Sequence, residues 1–133
     1  MIKIVMGLKG TGKTKMLIQE VNAAVAKDHG SVVCIEKEPK LTYDISHKAR
    51  LISASEYDIN TFDRFFGFLS GLMAANYDIT DIYVDSIFKI CGDDMAKFEE
   101  FLTEVEKILK NVNVFITVSG DEKTATQAIR NYF

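Results

Sequence analysis

The sequence contains no apolar run long enough to cross a bilayer, which excludes a helical membrane span. It has no Pro/Gly/Ser-rich linker, internal repeat or low-complexity tract, and its single proline, Pro39, falls in what reads as a short connection. At 133 residues, close to the commonest size of one domain, residues 1–133 read as a single domain. Cysteine is scarce. Cys34 and Cys91 lie inside apolar stretches, without CxxC spacing or histidines at metal-ligand spacing, so both read as reduced core residues. An excess of positive charge is also missing: the net charge of -3 gives no general attraction for nucleic acid, and the only dense basic stretch runs from Lys9 to Lys15. The first residues enter a strand rather than a secretory signal, so the expected address is the cytoplasm. What is present, 47% hydrophobic and 26% charged residues, is the composition of an ordinary globular protein.

Apolar, β-prone runs occur at 2–6 (IKIVM), 31–35 (SVVCI), 50–54 (RLISA), 81–85 (DIYVD) and 113–118 (NVFITV). Several are apolar on both faces, as strands of a covered parallel sheet are. Helix-like segments alternate with them at 13–27, 61–76, 93–110 and 121–131. Strands alternating with helices predict an α/β fold with a mostly parallel sheet. In the third helical segment Phe98, Phe101, Leu102, Val105 and Ile108 recur at three-to-four spacing, with Lys97, Glu99, Glu100 and Glu104 on the other side. Asp93 and Asn60 are the expected N-caps of the third and second helices, since each can accept from the free first-turn amides. The group Phe62, Phe65, Phe66, Phe68 and Leu69 is most simply core, and an aromatic partner surface is the alternative.

Residues 7–14 read GLKGTGKT, the pattern GxxxxGK[ST]. A nucleoside triphosphate needs several backbone N–H groups converging on its β-phosphate, and Gly7, Gly10 and Gly12 let the chain turn and approach without a Cβ in the way. The N-terminus of the following helix adds its dipole. Lys13 is spaced to reach the β- and γ-phosphates, and the Thr14 hydroxyl to ligate Mg²⁺. With glycine at about 7% usage the pattern arises by chance in fewer than about one in a hundred chains of this length. The preceding strand and following helix supply the context it requires. The expected cradle therefore comprises Gly7, Leu8, Lys9, Gly10, Thr11, Gly12, Lys13, Thr14 and Lys15, and the plain alternative is a Gly-rich turn from strand to helix. A second element agrees with the first. The run Ile82-Tyr83-Val84-Asp85 is an apolar strand ending in a carboxylate, as a Walker B strand needs to hold Mg²⁺ opposite Thr14, although such an aspartate is often only a turn residue.

With these two motifs the chain resembles the RecA/KaiC-type branch of P-loop ATPases. Asp85-Ser86-Ile87 is similar to the Asp-Ser-hydrophobic ending of that family's Walker B strand. The stretch ARLISASEYDINTFDRFFGFLSGLMAANYDITDIYVDSI follows the family order of strand, short acidic turn, helix and Walker B. The resemblance implies a three-layer P-loop NTPase fold with strand order 3-2-4-5-1, helices on both faces, and a ligand outside the carboxyl ends of the strands. It implies that the water-activating carboxylate follows the second strand, where Ile35-Glu36-Lys37-Glu38 stands, with Glu36 and Glu38 both candidates. A solvated charged turn is the alternative for that segment. It also places a polar sensor at Ser119. Ser86 replaces the glutamate that many other P-loop ATPases carry after the Walker B aspartate. Lys9 resembles the signature lysine of partition ATPases but stands one place out of register, and reads as solvated or phosphate-side. The recombinase's DNA-binding loops have no counterpart, so the resemblance implies a nucleotide site rather than recombination.

The expected ligands are ATP, chosen over GTP because no NKxD segment occurs, and Mg²⁺. Three functions stay open: an ATPase that turns over slowly or on partner activation, a nucleotide-gated interaction module, and a small P-loop kinase. The kinase needs an arginine-rich lid, yet Arg50, Arg64 and Arg130 are scattered. A homo-oligomer or protein partner also stays open, because RecA-type sites form between subunits with a basic finger. Lys123 and Arg130 are the candidates, and a favourable place near a helix C-terminus is their alternative.

Overall fold

The computed structural model describes residues 1–133. Strand β1 (Ile2–Gly7) leads through a glycine-rich loop into helix α1 (Lys13–Lys27), followed by β2 (Ser31–Glu36) and β3 (Arg50–Ser53). A 3-10 turn at Ala54–Tyr57 precedes α2 (Phe62–Ala75), β4 (Ile79–Val84), the short α3 (Ile87–Cys91) and α4 (Met95–Ile108). β5 (Asn113–Ser119), a 3-10 turn at Glu122–Thr124 and α5 (Gln127–Arg130) complete the chain. The strands form one sheet in the order β1-β5-β4-β2-β3, which read from the other edge is the expected 3-2-4-5-1. Every pairing is parallel, so the sheet is wholly rather than mostly parallel. No helix is long and apolar enough to cross a membrane.

Alternation along the strands sorts the side chains onto two faces. Ile2, Ile4 and Met6 of β1, Val33 and Ile35 of β2, Ile82 and Val84 of β4, and Val114, Ile116 and Val118 of β5 point into a core of 27 buried residues beneath α2, α3, α4 and α5. Val32, Cys34, Tyr83 and Phe115 point the other way, against Leu17 and Val21 of α1, in a cluster of nine. The smaller cluster shows how lightly the second face is covered. There Leu41, Ile45 and Ala49 of the connection 37–49 take the place of a second helix. This connection holds Pro39, so the proline sits in a long covering segment rather than a short link.

The remaining differences from the sequence reading are local. The α2 cap is Thr61, whose side chain accepts from the Arg64 amide, not Asn60; the α4 cap is Asp94, which accepts from the Lys97 amide, not Asp93. In each case both neighbours suit a cap, and packing of the helix decides between them. Phe62, Phe65 and Leu69 are buried while Phe66 and Phe68 pack partly exposed against the same core. Phe62 lies 5.6 Å from Phe98 and 5.4 Å from Phe101 between ring centroids, so the aromatics join α2 to α4. The expected helix 121–131 is two pieces, because Ala125 and Thr126 are extended between them. Both cysteines are free, Cys34 buried and Cys91 only partly so.

Candidate functional site

The same alternation that builds the core gathers the chemistry. Gly7, Glu36, Thr117 and Ser119 share the α1 face by strand parity, and Asp85, directly after β4, continues it. All lie at or near the carboxyl ends of the strands, where the loop from β1 enters α1.

Gly10 and Gly12 adopt φ of 85° and 86°, in the left-handed region that L side chains rarely enter. A Cβ on either would meet nothing within 4 Å, so conformation rather than crowding demands glycine there. Gly12 is the N-cap residue of α1 and offers no side chain to the first-turn amides. Helices α2, α4 and α5 are each capped by a side chain, from Thr61, Asp94 and Thr126. The longest helix is thus left without a side-chain acceptor for its N-terminal amides, as is the five-residue α3. Lys13, only 7% exposed, folds back over the loop: its Nζ donates to the Leu8 carbonyl at 2.8 Å and to Thr11 Oγ1 at 3.3 Å. Thr11 Oγ1 also donates to the Leu8 carbonyl, at 2.8 Å. Burial lowers the Lys13 pKa from its usual value; the Asp85 carboxylate opposes that shift and the Lys89 ammonium adds to it.

One residue on, the Thr14 hydroxyl lies 3.2 Å and 3.3 Å from the two carboxylate oxygens of Asp85. The carboxylate is held from behind. Thr117, fully buried in β5, donates its hydroxyl to Asp85 Oδ1 at 2.8 Å and accepts the Ser86 amide at 2.7 Å, while the Asp85 amide donates to the Ile35 carbonyl at 2.9 Å. Ser86 has φ of 55°, a left-handed position without glycine. Such a conformation persists where neighbours over-determine it, and here the Thr117 bond does so while the buried Ile87 anchors the next residue. Thr117 was not among the expected site residues. Its signal in the sequence is a single polar side chain inside NVFITV, which is equally compatible with an ordinary strand threonine.

Glu36 reaches the same place but is already engaged. It is 4% exposed, and its two carboxylate oxygens accept the Lys40 amide at 2.9 Å and the Leu41 amide at 3.1 Å. Burial raises its pKa from the usual carboxylate value, with the two amide bonds pulling the other way. Glu38 is exposed and lines the same cleft, of about 370 Å³, together with Thr14, Glu36, Asp85, Ser86 and Lys89. Ser119 pairs with Gly7 across β5 and β1, and the Gly120 amide donates to the Gly7 carbonyl at 3.0 Å. Lys9 and Lys15 are exposed on the loop and first turn. Lys123 lines a second cleft of about 460 Å³ on the other side of the loop, with Val5, Gly7, Leu8, Lys13 and Met16. Arg130 is tied to its own chain, donating to the Ala125 carbonyl at 3.2 Å and to the Glu122 carbonyl at 2.7 Å. A roomier groove, about 640 Å³, runs between α2 and α4, but it gathers no comparable set of groups. Chemistry rather than volume picks out the site.

Two hard oxygen donors, a buried cation and uncapped helix amides make a place suited to a polyanion carrying a hard cation. The chain has no group of three or more His, Cys, Asp or Glu side chains able to hold a metal. Thr14 and Asp85 are the hard-oxygen donors here that could take part in holding a metal. No family model matches the chain, and no curated protein matches it at a significant level.

Proposed function

We propose that the chain binds a magnesium–nucleoside triphosphate, ATP by its resemblance to RecA/KaiC-type proteins, and hydrolyses it slowly or when a partner activates it. The observation that carries this reading is the approach of the Thr14 hydroxyl to both oxygens of Asp85, at 3.2 Å and 3.3 Å, directly after the buried Lys13. A threonine and an aspartate 71 residues apart meet where a Walker A loop and a Walker B strand would bring them. The all-parallel sheet and its strand order fit a three-layer P-loop NTPase fold, and a cytoplasmic setting, where ATP and magnesium are plentiful, fits the same reading.

Each residue then has a stated task. The amides from Gly7 to Thr14 receive phosphate oxygens, and Lys13 exchanges its contact with the Leu8 carbonyl for one with phosphate. Thr14 and Asp85 would hold Mg²⁺, which supplies charge neutralisation across the β- and γ-phosphates. Thr117 keeps the Asp85 carboxylate pointing at Thr14. Glu38, exposed in the cleft, is the carboxylate free to orient water, while Ser119 sits beside Gly7 at the end of the sensor strand.

A second reading, a nucleotide-gated interaction module, is favoured by one observation: Glu36 is 4% exposed and accepts a backbone amide at each oxygen, an arrangement suited to holding the connection in place rather than to activating water. The kinase reading gains no support. Arg64 donates to the Asp58 carbonyl and Arg130 to two carbonyls of its own segment, so neither is poised as a lid.

The test is calorimetry with ATP and Mg²⁺ on the parent and on Lys13→Ala, with circular dichroism to verify folding. The parent binds; the variant folds and loses affinity by roughly tenfold to a hundredfold, the worth of a charge-assisted contact. Equal affinities in the two proteins would end the phosphate-loop reading.

A further inference from the structure

We infer that Lys89 reads the third phosphate, so that the site separates nucleoside triphosphate from diphosphate through a cation supplied by its own chain. The inference rests on the nucleotide reading above and adds to it the residue that senses the γ-phosphate.

Thr14 and Asp85, which would hold the metal and so offset charge on the terminal phosphates, mark the side of the loop on which the third phosphate would lie. That side opens into the cleft of Glu36, Glu38, Asp85 and Lys89. Three carboxylates make it a poor place for a further phosphate unless cations offset them. Lys89 is exposed and has no carboxylate within 4.0 Å: the one ion pair in the chain is Lys107–Glu104. Lys89 lines this cleft beside Thr14, Asp85 and Ser86.

Lys89 also stands on a helical base. Its amide donates to the Ser86 carbonyl at 2.9 Å, and its neighbours in α3, Ile87 and Ile90, are buried at 0% and 4% exposure. The bond from the Ser86 amide to Thr117 positions the start of α3 against Asp85. Lys37 and Lys40 line the same cleft from the exposed turn around Pro39, outside any helix, and the Lys40 amide is held by Glu36.

The experiment is calorimetry of Mg²⁺-ATP and Mg²⁺-ADP binding to the parent, Lys89→Met, Lys89→Arg and Lys37→Met. Lys89 is exposed, so none of these changes threatens the core. The expected result is a fall of roughly tenfold to a hundredfold in the preference for ATP over ADP in Lys89→Met. ADP affinity stays unchanged, Lys89→Arg keeps part of the preference, and Lys37→Met behaves as the parent. Equal changes for ATP and ADP, or none, would overturn the role of Lys89 while leaving the nucleotide site standing. An equal loss in Lys37→Met would overturn it too, in favour of a diffuse field. A parent that binds neither nucleotide would overturn the nucleotide reading and this inference together.

Discussion

Thr117 and Asp85 are joined by a 2.8 Å hydrogen bond that runs from a fully buried hydroxyl in β5 to the carboxylate following β4. The same hydroxyl accepts the amide of Ser86, so one side chain holds both an acidic group and the left-handed residue beside it. The Thr14 hydroxyl meets the same carboxylate at both of its oxygens. Asp85 is thereby fixed against Thr14 by contacts within the chain.

Thr117→Val keeps the shape and removes the hydroxyl. The Ser86 amide then loses its partner, and leaving such a group unpaired costs about 1–3 kcal/mol. Chemical denaturation should show a loss in that range, with Thr117→Ser near the parent. A valine variant as stable as the parent would remove Thr117 from this role.

Asp85→Asn keeps an oxygen able to accept from Thr117 but removes the charge. ATP affinity measured with and without Mg²⁺ should show that the metal tightens binding to the parent by roughly tenfold or more and does little for the variant. A magnesium effect of equal size in both would take the metal away from Asp85.

Glu38 and Glu36 divide the carboxylate question. Phosphate release at saturating ATP should fall in Glu38→Gln by roughly 10² to 10⁴-fold, the range of a positioned base, with nucleotide affinity retained. Glu36→Gln presents an amide donor to one of two backbone donors, so its main effect should be on stability, about 1–3 kcal/mol. If the parent releases no phosphate above buffer, the gated-module reading takes precedence. If it turns over and Glu38→Gln keeps the parent rate, the base lies elsewhere.

Stability should carry the mark of Glu36 as pH changes. Burial raises its pKa above the ordinary value of 4.5, so the native chain holds that proton to a higher pH than the unfolded chain does. Its contribution to stability is therefore complete below 4.5 and is lost as pH rises through the raised value. Denaturation of the parent and of Glu36→Gln across this window should show the parent losing ground to the variant as pH increases. A difference that does not vary with pH would contradict this.

Much of the fold was legible in local signals. Helix α1 begins and ends where the sequence reading put it, at 13 and 27, because Leu17 and Val21 mark its buried face and a glycine precedes it. All five strands lie where the β-prone runs stand, to within one residue except at the start of β4. Each feature depends on neighbours in the chain: period, cap, turn. The loop glycines belong to the same class, since a positive φ at Gly10 and Gly12 is a property of single residues. The sequence alone therefore determined an α/β chain carrying GLKGTGKT between a strand and a helix.

What it left open is non-local. α3 was not expected, because five residues starting at a left-handed serine carry too little periodicity to read, and its start is set by Thr117, 31 residues away from Ser86. Whether Glu36 faces water or two amides depends on how the connection 37–49 folds back over a half-covered sheet face. Arg130 reads in the sequence as a candidate basic finger or a cation placed near a helix C-terminus, and the fold ties it to two carbonyls of its own segment. Only the tertiary structure decides such matters, because hydrogen bonds across strands β2, β4 and β5 form between groups that parallel crossovers bring together, and no local pattern records which side chain will meet which.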